Sequence, residues 1–261
     1  MLSRHSTIKP ILFLGSVLLF HALSSYGQSH TPAPAVTEAK PLNNAIFPMP
    51  NIQKDNYKWQ ERRDEKVKEV AAGNHDLIFI GDSITHRWEK SPVWIEHYGK
   101  RNVLNLGYGW DCTQNVLWRL QNGEFVGQKP KLVVLNIGTN NMTGNSGGRA
   151  NSPEEIVEGI QAILRFIKEK SPDTSFLVMG IFPRGLKKDA TYTKAQKVNE
   201  LLKAALKDMP KVELMDIGSQ LVDADGEIPK DIMGDRVHPS PKGYEIWAAA
   251  IEPVIKKHLG E

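Results

Sequence analysis

Leu-Ile-Phe-Ile-Gly-Asp-Ser-Ile-Thr, residues 77–85, decides the fold. Leu77 to Ile80 form a short apolar run without the alternation of a half-exposed strand, so they read as a strand covered on both faces. Gly81 lets the backbone turn sharply. Ser83 then falls where a following helix would begin, among N–H groups with no acceptor inside the helix and at the positive end of its dipole. The same pattern recurs outward from this point. Val103–Leu106, Leu132–Ile137, Phe176–Ile181 and Val212–Met215 are further continuous apolar runs. Helical periodicity occupies Pro153–Glu169, Tyr192–Lys207 and Pro241–His258, the first opened by Ser152 as N-cap with Pro153 at the first helical position. Strands alternating with helices predict an α/β protein, a three-layer αβα sandwich around a parallel sheet with right-handed crossovers. No internal repeat and no second domain is apparent.

In an open parallel sheet ligands bind beyond the carboxyl ends of the strands, so chemistry belongs just after each apolar run. Gly81-Asp82-Ser83 follows the first, and Gly138-Thr139-Asn140-Asn141 follows the third. A carboxamide there can donate N–H to a developing negative charge. Asp235-Arg-Val-His238 precedes the last helix. An acid three residues before a histidine can hold one ring nitrogen and leave the other as a base. Each motif alone has an ordinary structural reading: a capped turn at Asp82 or Ser83, an Asn-rich turn, a loop histidine paired with an acid. Their occurrence together, in this order and each at a strand end or before a helix, is far more specific.

With these residues the chain resembles the GDSL, or SGNH, hydrolases, and within them the branch of the platelet-activating-factor acetylhydrolase catalytic subunits. Asn105-Leu-Gly-Tyr-Gly-Trp-Asp111, Val116–Leu120, Asn122-Gly-Glu124, Phe182-Pro-Arg-Gly185 and Val198–Leu202 carry the likeness, which covers about residues 75–256. The resemblance implies a flavodoxin-like five-stranded parallel sheet, with Ser83 as nucleophile, His238 as general base and Asp235 orienting it. It also implies an oxyanion hole from the Ser83 N–H, the Asn140 side chain and a backbone N–H of the second block. That block departs from the family, which places Gly where Trp110 stands. Trp110 can still donate its N–H, would be strained if the position needs positive φ, and is expected to narrow or line the acyl pocket. Asp82, Tyr108 and Arg184 are read as substrate-binding.

The other candidates weaken on inspection. Among eight histidines, His5 and His21 fall in the N-terminal segment, His30 in a linker and His258 at the tail. His75 and His97 lack an acid at a suggestive spacing, and His86 reads as substrate-facing or solvated. Gly107-Tyr108-Gly109 lacks the third glycine of a dinucleotide loop, because Cys112 stands there. No Walker A sequence exists, and the spacing around Asp223-Ala-Asp225-Gly226 fails as a calcium loop. Without His-Glu-x-x-His or a Cys/His cluster, neither metal nor cofactor is expected. Cys112 is the only cysteine and reads as a small buried hydrophobe.

Residues 1–27 have a basic start (Arg4, Lys9), an apolar run from Ile11 to Leu23 and small residues at Ser24, Ser25 and Gly27, the pattern of a signal peptide. The run is short of the ~20 residues that cross a bilayer, so export to a periplasmic or extracellular space is expected, without stable membrane insertion. Removing that segment lowers Lys+Arg from 33 to 31 against 30 Asp+Glu, and the formal charge from +3 to +1. A near-neutral protein gives no electrostatic reason to expect nucleic acid as a partner. Residues 28–50, with prolines at 32, 34, 41, 48 and 50, read as a linker, and the hydrolase domain as 51–261. Asn51 to Ala72 reads as a helix with Trp59, Val67, Val70 and Ala71 inward and Arg62, Arg63, Glu65 and Lys66 solvated. The functional reading is an exported serine esterase acting on short acyl esters, acetyl above all, with an O-acetylated carbohydrate as substrate. A lipid-directed acylhydrolase or thioesterase, and a catalytically silent glycan- or partner-binding module, are the alternatives.

Overall fold

The computed structural model describes residues 41–52, 58–144 and 148–261; the signal-peptide reading of 1–27 and the linker residues 28–40 lie outside the described residues. Five parallel strands form one sheet: β1 (Leu77–Gly81), β2 (Val103–Gly107), β3 (Leu132–Asn136), β4 (Ser175–Met179) and β5 (Val212–Met215), in the order β2-β1-β3-β4-β5. All five apolar runs are strands, and the order is the flavodoxin-like one. β1 is an interior strand, in register with β2 from Leu77–Val103 to Gly81–Gly107 and with β3 from Leu77–Leu132 to Gly81–Asn136. Every β1 residue is buried, because helices cover both faces.

Among the described residues seven α-helices divide between those faces. α5 (Pro153–Lys170), α6 (Ala190–Leu206) and α7 (Pro241–Leu259) match the periodic segments to within about two residues. Ser152 accepts from the Glu155 N–H while the Glu155 carboxylate accepts from the Ser152 N–H, a capping box that fixes the start of α5. Three short helices, α2 (Ser83–Trp88), α3 (Pro92–Tyr98) and α4 (Thr113–Arg119), add to these. α4 and α5 pack with the Ile78, Ile80, Val133 and Leu135 face of the sheet, and α2, α3 and α7 with the Leu77, Phe79, Leu132 and Val134 face. On the second face Trp88 stacks on Trp247 at 4.1 Å, and the Tyr244 hydroxyl donates to the Ile84 carbonyl at 2.8 Å. α7 therefore grips α2 just after Ser83, and the loop that leads into α7 carries His238.

Two sequence expectations change. Residues 41–50 are packed on the domain, whose compact unit begins at Pro41. Ala45 is fully buried and its carbonyl accepts from Thr113 Oγ1 at 2.8 Å, while the Met49 carbonyl accepts from Asn115 Nδ2 at 3.1 Å. Proline content signals a break from regular structure, and apart from a 3-10 turn at Asn44–Ile46 the segment is irregular, but α5 and Arg149 also hold it: Asn43 Nδ2 donates to Glu158 at 2.6 Å and Arg149 Nη2 to the Leu42 carbonyl at 2.9 Å. α1 runs from Trp59 to Ala72, with Trp59, Arg62, Lys66 and Val70 buried and Ala71 exposed. Arg62 and Lys66 are not solvated: Arg62 Nε donates to the Gly107 carbonyl at 2.8 Å, and Lys66 Nζ pairs with Glu89 at 2.6 Å. Lys66 also pairs with Glu69 of its own helix, but the Gly107 carbonyl and Glu89 lie outside α1, which a helical period does not show.

Candidate active site

Ser83 is the first residue of α2, immediately beyond β1, and Asp82 is its N-cap, accepting from the Ile84 N–H at 2.9 Å. The glycine at 81 is needed for space: a Cβ there would lie 2.1 Å from Thr85 Oγ1 and 2.4 Å from the Asn136 carbonyl. Gly107, at the end of the neighbouring strand, would bring a Cβ within 2.3 Å of the His86 nitrogen. Glycines at the ends of β1 and β2 thus let α2 sit tightly over the sheet and fix the height of Ser83.

Ser83 Oγ lies 2.8 Å from His238 Nε2, and His238 Nδ1 lies 2.7 Å from Asp235 Oδ2. The second carboxylate oxygen of Asp235 accepts from the Val237 and His238 N–H groups at 3.0 and 2.8 Å, so the acid that faces the imidazole also builds the loop that presents it. Burial opposes ionisation of Asp235, but the backbone and side-chain hydrogen bonds from His238 prevail and hold its carboxyl down at about 2. Burial outweighs the raising pull of Asp235 on His238 and holds the imidazole below its ordinary value. A neutral ring with Nδ1–H toward Asp235 leaves Nε2 as acceptor for the serine proton. Arg87, which sequence reasoning passed over, lies 3.8 Å from Asp235 at the surface.

Ser83, His86, Arg87, Gly109, Trp110, Asn140, Arg184, Val237 and His238 line a cavity of about 310 Å³. A larger cavity of about 410 Å³, between β4, β5 and α6, contains none of these groups. Asn140, in the loop after β3, donates from Nδ2 to the Asp111 carbonyl at 3.0 Å. Trp110 has φ +66 and is 38% exposed. The left-handed backbone at which a glycine is at ease is here adopted by a bulky residue, so the strain considered from sequence is present. Arg184 Nη1 donates to the Thr139 carbonyl at 3.2 Å and its side chain reaches the cavity. His86 lines the same cavity, and burial followed by the Arg62 charge depresses it to about 3, so it is a neutral polar wall.

Asp82 and Tyr108, read as substrate-binding, are placed elsewhere. Both are fully buried and neither lines the cavity. Asp82 caps α2, and burial pushes its carboxyl up to about 7. The Tyr108 hydroxyl donates to Glu124 at 2.6 Å, and its ring lies 3.8 Å from the Arg119 guanidinium. Tyr108 belongs to a buried group beneath the Gly109–Asp111 loop. In it Arg119 Nε donates to Asp111 Oδ2 at 2.7 Å, and Arg119 also pairs with Glu124. Asp111 Oδ1 accepts from Trp59 Nε1 at 2.8 Å and from Asn51 Nδ2 at 3.1 Å. Asn141, beside Asn140, accepts from the Thr113 N–H and donates to Thr113 and Gln114, which ties the same loop to the start of α4.

A hydroxyl, an imidazole and a carboxylate in hydrogen-bonded series, at the carboxyl edge of a parallel sheet and beside a carboxamide, form the arrangement that acyl transfer needs. Comparison with known proteins gives the family. Residues 79–246 match the GDSL-like Lipase/Acylhydrolase family, and the chain belongs to it and is an ester-hydrolysing enzyme. The chain is 35% identical over 211 residues to platelet-activating factor acetylhydrolase IB subunit alpha2 of Rattus norvegicus, covering 81% of this chain and 89% of that protein. It is 32% identical over 214 residues to the alpha1 subunit of Homo sapiens, covering 82% and 89%. A putative acylhydrolase from Bacteroides fragilis shares the fold with a TM-score of 0.64 at 22% identity, covering 79% of this chain and all 100% of that one. A mutant acetyl-xylooligosaccharide esterase from Geobacillus does so with a TM-score of 0.53 at 18% identity, covering 71% and 94%.

Proposed function

We propose that the chain is an exported serine esterase that removes short acyl groups, acetyl above all, from an O-acetylated carbohydrate. The observation that carries the reading is the 2.8 Å contact of Ser83 Oγ with His238 Nε2, continued at 2.7 Å to Asp235, at the floor of a small cavity. In this mechanism His238 takes the Ser83 proton as Oγ attacks the ester carbonyl. The tetrahedral oxyanion is held by the Ser83 N–H at the start of α2, the Trp110 N–H and Asn140 Nδ2. The alcohol leaves with the proton from His238, which then draws a proton from water to release the acid and restore Ser83.

The small acyl group is supported by Trp110, whose indole stands at the cavity beside Ser83 and Asn140. Polar walls from Arg184, Arg87 and neutral His86 suit an alcohol rich in hydroxyls. Export rests on the basic-then-apolar pattern of residues 1–27; among the described residues no helix is long and apolar enough to cross a membrane. The names of the relatives at 35% and 32% identity favour a second reading, in which the acetyl ester is carried by a phospholipid. A series of p-nitrophenyl esters, then acetate release from acetylated xylan and pectin beside an acetylated ether phospholipid, separates the two. Rates falling steeply beyond two to four acyl carbons, with faster acetate release from the polysaccharides, are expected. Preference for long acyl chains contradicts the acetyl reading, and release from the phospholipid alone moves the substrate to the second.

A further inference from the structure

β1, which leads through Asp82 into Ser83, lies between β2 and β3, whose following loops hold Gly109–Asp111 and Asn140. The oxyanion donors thus stand on loops from two strands that are not neighbours. The Asn140 carboxamide bridges that gap with its 3.0 Å bond to the Asp111 carbonyl. Nδ2 carries two hydrogens, and the one on Asp111 sets the direction of the other. The Asp111 side chain is fully buried and held from three separate places: Asn51 of the N-terminal arm, Trp59 at the start of α1 and Arg119 at the end of α4. Arg119 is itself fixed by Glu124, by the Leu106 carbonyl at 3.2 Å and by the face of Tyr108. A carboxylate pinned on both oxygens leaves its own backbone carbonyl little room to move. Trp110, the preceding residue, adopts a strained left-handed backbone that needs such over-determined surroundings.

We infer that Asp111 is a positioning residue of the oxyanion hole: through its buried hydrogen bonds to Asn51, Trp59 and Arg119 it fixes the carbonyl from which the Asn140 carboxamide hangs. Asp111 touches no substrate and acts through Asn140, so the inference rests on the proposed role of Asn140 in holding the oxyanion. Displacing a transition-state donor by a fraction of an ångström reduces the rate without reducing ground-state binding, which distinguishes this role from one in substrate affinity.

The test is a double-mutant cycle on a short p-nitrophenyl ester with the full chain, at a temperature well below the melting point of every variant. Asn140→Ala is expected to lower kcat about 10²–10³-fold. Asp111→Asn keeps the shape but presents an amide to donors on one side, and is expected to lower kcat about 10–100-fold with KM nearly unchanged. In the Asn140→Ala background the same change is expected to lower kcat by no more than about threefold, because the group it positions is gone. Trp59→Phe, which removes only one donor from Asp111 Oδ1, repeats the cycle with a smaller loss and decides it if Asp111→Asn does not fold. Equal losses in the two backgrounds, or a loss in KM alone, overturn the inference while leaving the esterase intact. Wild-type protein that neither hydrolyses the ester nor takes a fluorophosphonate label overturns both.

Discussion

The two sides of Ser83 are built in opposite ways. On one side His238 and Asp235 sit in a loop three residues apart, and the Asp235 side chain is 53% exposed. On the other, the Gly109–Asp111 loop stands on a wholly buried ion group, Asp111–Arg119–Glu124, in which every side chain is fully excluded from solvent. The first side is local and wet, and a change there is expected to leave the core undisturbed. The second draws on residues 51, 59, 106, 119 and 124, so it cannot be changed without cost to folding. In the proposed mechanism the proton-transfer groups need access to water for deacylation, whereas the oxyanion donors act best when they are already fixed.

Two substitutions sharpen the contrast. Asp235→Asn keeps one oxygen for the Val237 and His238 N–H groups, so the loop should survive. Its amide, however, would donate toward His238 Nδ1 and turn the ring to the tautomer that cannot accept the serine proton. A roughly 10⁴-fold fall in kcat is expected, with the melting temperature nearly unchanged. A large fall in melting temperature would mean that the loop is not independent of the core. Arg119→Met should do the reverse first to stability: breaking a buried ion pair leaves carboxylates without a counter-charge and costs about 3–5 kcal/mol. The deficit should grow as pH rises. With Arg119 present, burial already pushes the Asp111 carboxyl up to about 6. Without the guanidinium it titrates higher still, so the folded state then binds protons more tightly than the unfolded chain and loses stability as they leave. Urea unfolding at pH 5 and pH 8 measures both the loss and its sign.

The same contrast explains what the sequence reveals. Leu77–Ile80 is readable as an interior strand because both faces are buried, so apolar residues are continuous, and its shortness and the flanking Gly81 favour a strand over a buried helix. Asp235 and His238 are readable because their partnership spans three residues, and Asn140 because it follows a strand in a loop. The buried ion group is not readable. Arg62 and Lys66 look like the solvated positions of a charged helix, Arg119 is one polar residue in a mostly apolar block, and only the folded chain brings Glu89, Asp111 and Glu124 to them. Tyr108 fails for a related reason. It directly follows β2 in the block that carries the family likeness, but its ring turns down onto Arg119 and away from the cavity. The packing of residues 41–50 depends on donors and acceptors of α4, of α5 and of the loop before α5, which composition does not record.

The most direct test is the rate at which a fluorophosphonate inactivates the enzyme, measured against pH and followed by mass spectrometry of the labelled peptide. The expected result is one label on Ser83, absent from Ser83→Ala. Its rate should rise with pH through a single ionisation below the ordinary histidine value of 6.5, since protonated His238 cannot receive the serine proton and burial lowers its pKa. A label on another residue, or a rate that ignores pH across that range, would contradict the pairing of Ser83 with His238.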